Sequence, residues 1–163
     1  MALIATIGGS TSNSYVTLTE ANDYFADRLN TTEWDAATSE TKEKALVTAT
    51  RRIDEEQFFG YKVSNTQALK WPRYNVLDED GFFFFAPDLI PEPIKQAVFI
   101  TALELLRADF LAENYMGNFS YFSAGTVQIK QFTQQSAGRL PSDAFRLLQR
   151  FMTSGNGGRL VRA

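Results

Sequence analysis

Pro91-Glu92-Pro93-Ile94-Lys95-Gln96-Ala97-Val98-Phe99-Ile100-Thr101-Ala102-Leu103-Glu104-Leu105-Leu106 is the stretch that decides the fold class. Nine of the thirteen positions from Ile94 to Leu106 are Ile, Ala, Val, Phe or Leu, so the run is apolar on more than one helical face. Proline in a first helical turn loses no useful hydrogen bond and presets φ, which makes Pro91 and Pro93 the start of a helix reaching about Asn114. A helix of this composition sits centrally, or is shared between a core and a subunit contact. It does not span a membrane: a bilayer requires roughly 20 apolar residues, whereas Thr101 and Glu104 interrupt this run and Lys95 and Arg107 flank it.

On the N-terminal side, a second helix is expected from Thr38 or Ser39 to about Phe58, with Leu46, Ala49 and Ile53 spaced for one buried face and Gly60 closing it. Its other face is charged, with Glu40 near Lys44 and Asp54 near Arg51. Before it, Thr19 is placed to cap a short helix carrying Ala21, Tyr24, Phe25 and Leu29. Pro72 forces Trp71 out of the α region, so the chain turns at Trp71-Pro72-Arg73. The polar turn Asp78-Glu79-Asp80-Gly81 then feeds Phe82-Phe83-Phe84-Phe85, read as a long loop or short hairpin ended by Pro87.

On the C-terminal side, the alternation from Thr126 to Phe132 reads as a strand with Val127 and Ile129 on one face, available to pair with a neighbour. A last helix after Pro141-Ser142-Asp143 groups Phe145, Leu148 and Phe151. The expected fold is therefore mainly α: a small bundle of about four helices, with a short β-strand or hairpin, a long aromatic loop and extended termini. Residues 1–163 form one domain. Its parts are an N-terminal arm over 1–17, a helical core over 18–153 with an inserted loop 60–92 and strand region 124–133, and a flexible tail over 154–163. The start Met1 to Ile7 lacks a positive segment and gives way to Gly8-Gly9-Ser10, which is not the pattern of a signal peptide.

Composition narrows the chemistry. The chain has no Cys and no His, which removes disulfides, thiolates, the commonest metal ligands and every triad that needs imidazole. Asp78, Glu79 and Asp80 resemble part of a calcium loop, but the later ligands are missing, so they read as a solvated turn. Asp54, Glu55 and Glu56 occupy consecutive helical positions and point in different directions, unlike a glycosidase pair. No nucleophile motif or phosphate-binding loop occurs. The expectation is a non-enzyme with no cofactor and no metal site.

Two partner surfaces stand out. Fourteen Phe, six Tyr and two Trp exceed what one small core readily hides, and four consecutive aromatics at Phe82, Phe83, Phe84 and Phe85 cannot all face one core from a strand. With the tail residues Arg159, Leu160, Val161 and Arg162, freed by the preceding glycines, they are candidate protein contacts. Arg51 and Arg52, followed by Phe58, Phe59 and Tyr61, together with Trp71 and Arg73, are candidate stacking and phosphate contacts for single-stranded DNA. A net charge of −3 and a pI near 5.0 weigh against binding that rests on phosphate neutralisation.

Three segments carry a resemblance: Thr48-Ala49-Thr50-Arg51-Arg52-Ile53-Asp54, Gln67-Ala68-Leu69-Lys70-Trp71-Pro72-Arg73 and Ile90-Pro91-Glu92-Pro93-Ile94-Lys95-Gln96-Ala97. In this order they resemble small tailed-phage neck proteins often labelled DnaT-like single-stranded DNA binding proteins, which in turn resemble head-tail adaptors. The likeness begins at Ser14-Tyr15-Val16-Thr17-Leu18 with Ala21 to Phe25, passes Trp34-Asp35 and ends in the tail from Gly157 to Arg162. It implies a structural connector in the virion, made in the host bacterial cytoplasm. That connector would form a homo-oligomeric ring of about twelve copies at the head-tail junction. Its partners would be the portal, a tail terminator or other neck protein, and double-stranded DNA passing through without sequence recognition. The label implies the alternative, a DnaT-like replication protein that binds single-stranded DNA.

Overall fold

A computed structural model describes residues 2–77, 82, 88–107 and 140–153 in full and the backbone of 119–124 and 127–132. Among these residues the fold is mainly α with a short hairpin. Five helices are present: α1 (Leu18–Ala26), α2 (Thr32–Ala36), α3 (Ser39–Glu55), α4 (Glu92–Arg107) and α5 (Ser142–Leu148). Two antiparallel pairs accompany them, β1 (Tyr61–Lys62) with β2 (Arg73–Tyr74), and β3 (Phe119–Ala124) with β4 (Val127–Phe132).

The expected central helix is α4, which packs against α3 on one side and α5 on the other, with α2 also against it. Ile94, Ala97, Val98, Phe99, Thr101 and Ala102 are buried, while Ile100, Leu103, Leu105 and Leu106 are half-buried against the same core. This explains its apolar surface on several faces: three helices share it. Within α3, Leu46, Ala49 and Ile53 are fully buried as their spacing requires, and Leu148 with Phe151 closes the core from the C-terminal side.

Aromatic packing divides the core into two clusters. Phe25 sits 4.5 Å from Trp34 and 6.2 Å from Phe99, centroid to centroid, joining α1, α2 and α4. Trp71 lies edge-on between Phe58 and Phe151, at 5.6 and 5.7 Å. Rings in such edge-to-face pairs add about 0.5–1.5 kcal/mol beyond the area they bury.

Several local expectations are corrected. Thr17, not Thr19, caps α1, because Glu20 lies three residues on and completes a capping box in which each side chain bonds the other's backbone N–H. Burial alone would raise the Glu20 pKa, but hydrogen bonds from the Lys95 ammonium and from Thr17 outweigh it and lower it. Leu29 lies past the end of α1 and is exposed rather than part of its apolar face. Gly60 does not close α3, which ends at Glu55 with Glu56 as its C-cap. The five-residue α2 has no counterpart in the sequence reading. The expected strand at Val127–Phe132 forms a hairpin with Phe119–Ala124.

The described part of the N-terminal arm is not extended away from the domain. Its chain doubles back, with the Asn13 and Ser14 amides donating to the Ile4 carbonyl and the Ile4 amide to Asn13 Oδ1, which leaves Tyr15 and Val16 in the core. Residues 78–81, 83–87 and 154–163 lie outside the described residues, and with them Asp78, Glu79, Asp80, Phe83, Phe84, Phe85, Arg159, Leu160, Val161 and Arg162. Phe82 is described and exposed. No described helix is long and apolar enough to cross a membrane.

Candidate nucleic-acid interface

The sequence between α3 and α4 builds a small platform by a chain of anchors. Lys70 grips the end of α3: its amide donates to Asp54 Oδ1 at 2.7 Å, and its ammonium reaches the Glu55 and Glu56 carbonyls at 3.2 and 2.7 Å. These are two of the carbonyls a helix C-terminus leaves without intrahelical partners. The Tyr15 hydroxyl donates to the same Asp54 oxygen and accepts from the Trp71 amide at 3.4 Å. Gln67, almost fully buried, holds the connecting loop closed by donating to the Leu69 and Pro72 carbonyls and accepting from the Ser64 amide. The Trp71–Pro72 peptide bond is cis.

Beyond these anchors the chain forms a tight turn. Residues 57–59 run beside 151–153, with the Phe59 amide donating to the Phe151 carbonyl and the Thr153 amide to the Gln57 carbonyl, both at 2.9 Å. Gly60 then adopts φ +73°, and a Cβ there would lie 1.9 Å from the Tyr74 carbonyl oxygen, so neither the conformation nor the space admits a side chain. Tyr61-Lys62 reads tyrosine then cation, and Arg73-Tyr74 reads cation then tyrosine. Antiparallel pairing therefore sets Tyr61 opposite Tyr74 and Lys62 opposite Arg73. Directly opposed side chains share one face of a ladder.

The result is three exposed rings on and next to the paired strands. Tyr61 is 70% exposed, Phe59 48% and Tyr74 43%, and Leu77 follows at 49%. Rings held in solvent on a short, anchored hairpin are what a base needs for stacking, because every base offers a π-face. Lys62, paired with Arg73, belongs to the other face of the ladder, and its ammonium reaches the Gln67 carbonyl at 3.2 Å.

Over residues 1–163 the chain matches the family described as "Putative DnaT-like ssDNA binding protein". The chain belongs to that family. No curated protein and no solved structure matches it. Within the DnaT-like family, this finding bears out the DnaT-like part of the resemblance drawn from Thr48–Asp54, Gln67–Arg73 and Ile90–Ala97; the neck-protein part receives nothing from it.

The DnaT-like chain places the sequence-derived contact residues differently from one another. Trp71 is 1% exposed and packed between Phe58 and Phe151, so it is a core residue and not a stacking surface. Phe58 is buried beside it. Arg73 lies at the platform but spends its guanidinium on four backbone carbonyls, those of Phe58, Phe59, Gly60 and Lys70. Burial lowers its pKa, with Tyr15 and the Asp54 carboxylate acting in the opposite direction. Arg52 pairs with Glu55 at 3.4 Å on α3. Arg51 is exposed on α3, lining a groove with Ser12, Asn13, Asp54 and Leu69. Tyr74 escaped the sequence reading, and its signal was the tyrosine-then-cation order of Tyr61-Lys62 reversed in Arg73-Tyr74.

Tyr15 gives the site a pH dependence. Burial, and then the Asp54 carboxylate beside it, hold the Tyr15 phenol well above its usual 10.0. The folded chain keeps a proton that the unfolded chain releases near pH 10, so this contribution is complete below pH 10 and is lost as pH rises beyond it. Tyr15→Phe should lower stability by about 1–3 kcal/mol at pH 8, the range for a hydrogen bond to a charged group and its unmade partner. The gap between wild type and variant should narrow at pH 11, as read by urea denaturation at both values.

Proposed function

We propose that this protein binds single-stranded DNA by stacking bases on Phe59, Tyr61 and Tyr74. The observation that carries the reading is the opposed, exposed Tyr61–Tyr74 pair on an anchored turn, in a chain of a family described as DnaT-like and ssDNA binding. Affinity comes from ring–base contact more than from phosphate neutralisation. The net charge is −3, and among the described cations Arg52, Lys44, Lys95, Arg107 and Arg146 are ion-paired within the chain. No covalent chemistry is part of the role.

Fluorescence anisotropy with a labelled oligo-dT strand and the matching duplex tests this. The strand should bind in preference to the duplex, whose bases are stacked on one another. The slope of log affinity against log salt should stay near that of one or two phosphates, about −0.7 to −1.4. Equal binding of duplex and strand, or none of either, would sink the reading.

The head-tail connector is the second reading. Leu77, Phe82 and Leu89 of the same inserted segment are each exposed, and together with the acidic total they suit a protein partner in a ring below the portal. Quantitative mass spectrometry of nuclease-treated particles decides it: roughly a dozen copies, one per portal subunit, supports a virion component. Absence from particles overturns it.

A further inference from the structure

We propose that Arg73 is the positioning residue of the aromatic platform: it sets where Phe59 and Tyr61 stand and does not touch the nucleic acid. The inference rests on the single-stranded DNA reading. Three consecutive carbonyls, of Phe58, Phe59 and Gly60, converge on one guanidinium at 3.2, 2.6 and 2.6 Å, and the Lys70 carbonyl adds a fourth contact at 3.2 Å. Carbonyl oxygens brought together repel unless a donor stands between them. A planar fork with five N–H donors meets this demand, and an ammonium on a flexible stem does not.

The rest of the turn leaves no slack for an alternative. At Gly60 the Tyr74 carbonyl occupies the place of a Cβ, so the Gly60 backbone packs directly against that of Tyr74. Arg73 itself is fixed from behind, since Lys70 is tied to Asp54 and to the end of α3, and Trp71 is packed in the core. The guanidinium thus transmits the rigid position of α3 and the core to the exposed rings on either side of Gly60. With its donors committed to backbone carbonyls, Arg73 has little left for a phosphate, although sequence alone marks it as a phosphate contact.

The test compares Arg73→Lys and Arg73→Gln with wild type in oligo-dT anisotropy across a salt series, together with amide hydrogen exchange of the DNA-free proteins. Positioning predicts that both variants lose about tenfold in affinity, comparable to one stacked base, with an unchanged salt slope. The Phe59 and Val63 amides, which donate to the Phe151 and Pro72 carbonyls, should exchange faster while amides of α3 and α4 hold. Rescue by lysine, with glutamine reducing the slope by about 0.7, would make Arg73 a phosphate contact and overturn the proposal. Unchanged affinity and unchanged exchange would overturn it as well. If the wild-type protein binds no strand, the functional reading fails, and the exchange data still decide whether Arg73 sets the turn.

Discussion

Trp71→Ala is expected to lower stability by about 3–5 kcal/mol, the range for deleting a fully buried large aromatic ring. The indole is 1% exposed and makes edge contacts to Phe58 and Phe151, which are far apart in sequence. Removing it leaves a cavity at the point where residues 57–59 run beside 151–153, so the loss reaches the C-terminal segment as well as the turn. In a chain of this size the melting temperature should fall by roughly 6–20 °C. Trp71→Phe keeps an apolar ring in the slot and should cost distinctly less. Because the ring is inside, the folded fraction of Trp71→Phe should bind oligo-dT as wild type does. A variant that melts normally yet loses DNA binding would return Trp71 to the surface and refute its place in the core.

The helical framework was legible because α3 and α4 are long and each carries its own evidence. Pro91 and Pro93 mark a start, and the Leu46, Ala49 and Ile53 spacing marks a buried face without reference to anything distant in the chain. Shorter elements were not so marked. Five residues hold too few turns for a period to show, which is why α2 went unread although its Trp34 is among the most buried residues. At α1 the signal was present: Thr17-Leu18-Thr19-Glu20 spells a capping box from Thr17, and two threonines one residue apart offered a choice that the Glu20 spacing settles.

Burial at the candidate site was decided by partners far away in sequence. Phe58 and Phe59 are neighbours of one type, yet Phe58 is 6% and Phe59 48% exposed, because Phe58 meets Trp71 and the 151–153 segment while Phe59 faces away from them. Nothing local distinguishes the two. The same holds for the cations. Arg73 looks like a DNA contact until four carbonyls are found around it, whereas Arg51, with the same local appearance, is exposed on α3.

Replacing Phe59, Tyr61 and Tyr74 together by alanine should weaken oligo-dT binding by at least about a hundredfold. Alanine substitution of a stacking ring costs about 1–3 kcal/mol per base, so three rings at the low end give ~3 kcal/mol even before non-additivity is considered. The same change should leave the melting temperature within a few degrees, since the three rings are 43–70% exposed and exposed positions usually contribute within about 0.5 kcal/mol each. This opposite pattern to Trp71 is what makes the pair of experiments decisive: one tryptophan changes stability and spares binding, three exposed rings change binding and spare stability. The salt slope should also persist in the triple variant, because no cation has been removed. A triple variant that binds oligo-dT normally would leave the exposed rings without a nucleic-acid role. If that variant also failed to enter phage particles, the surface would be a protein contact, as the connector reading requires.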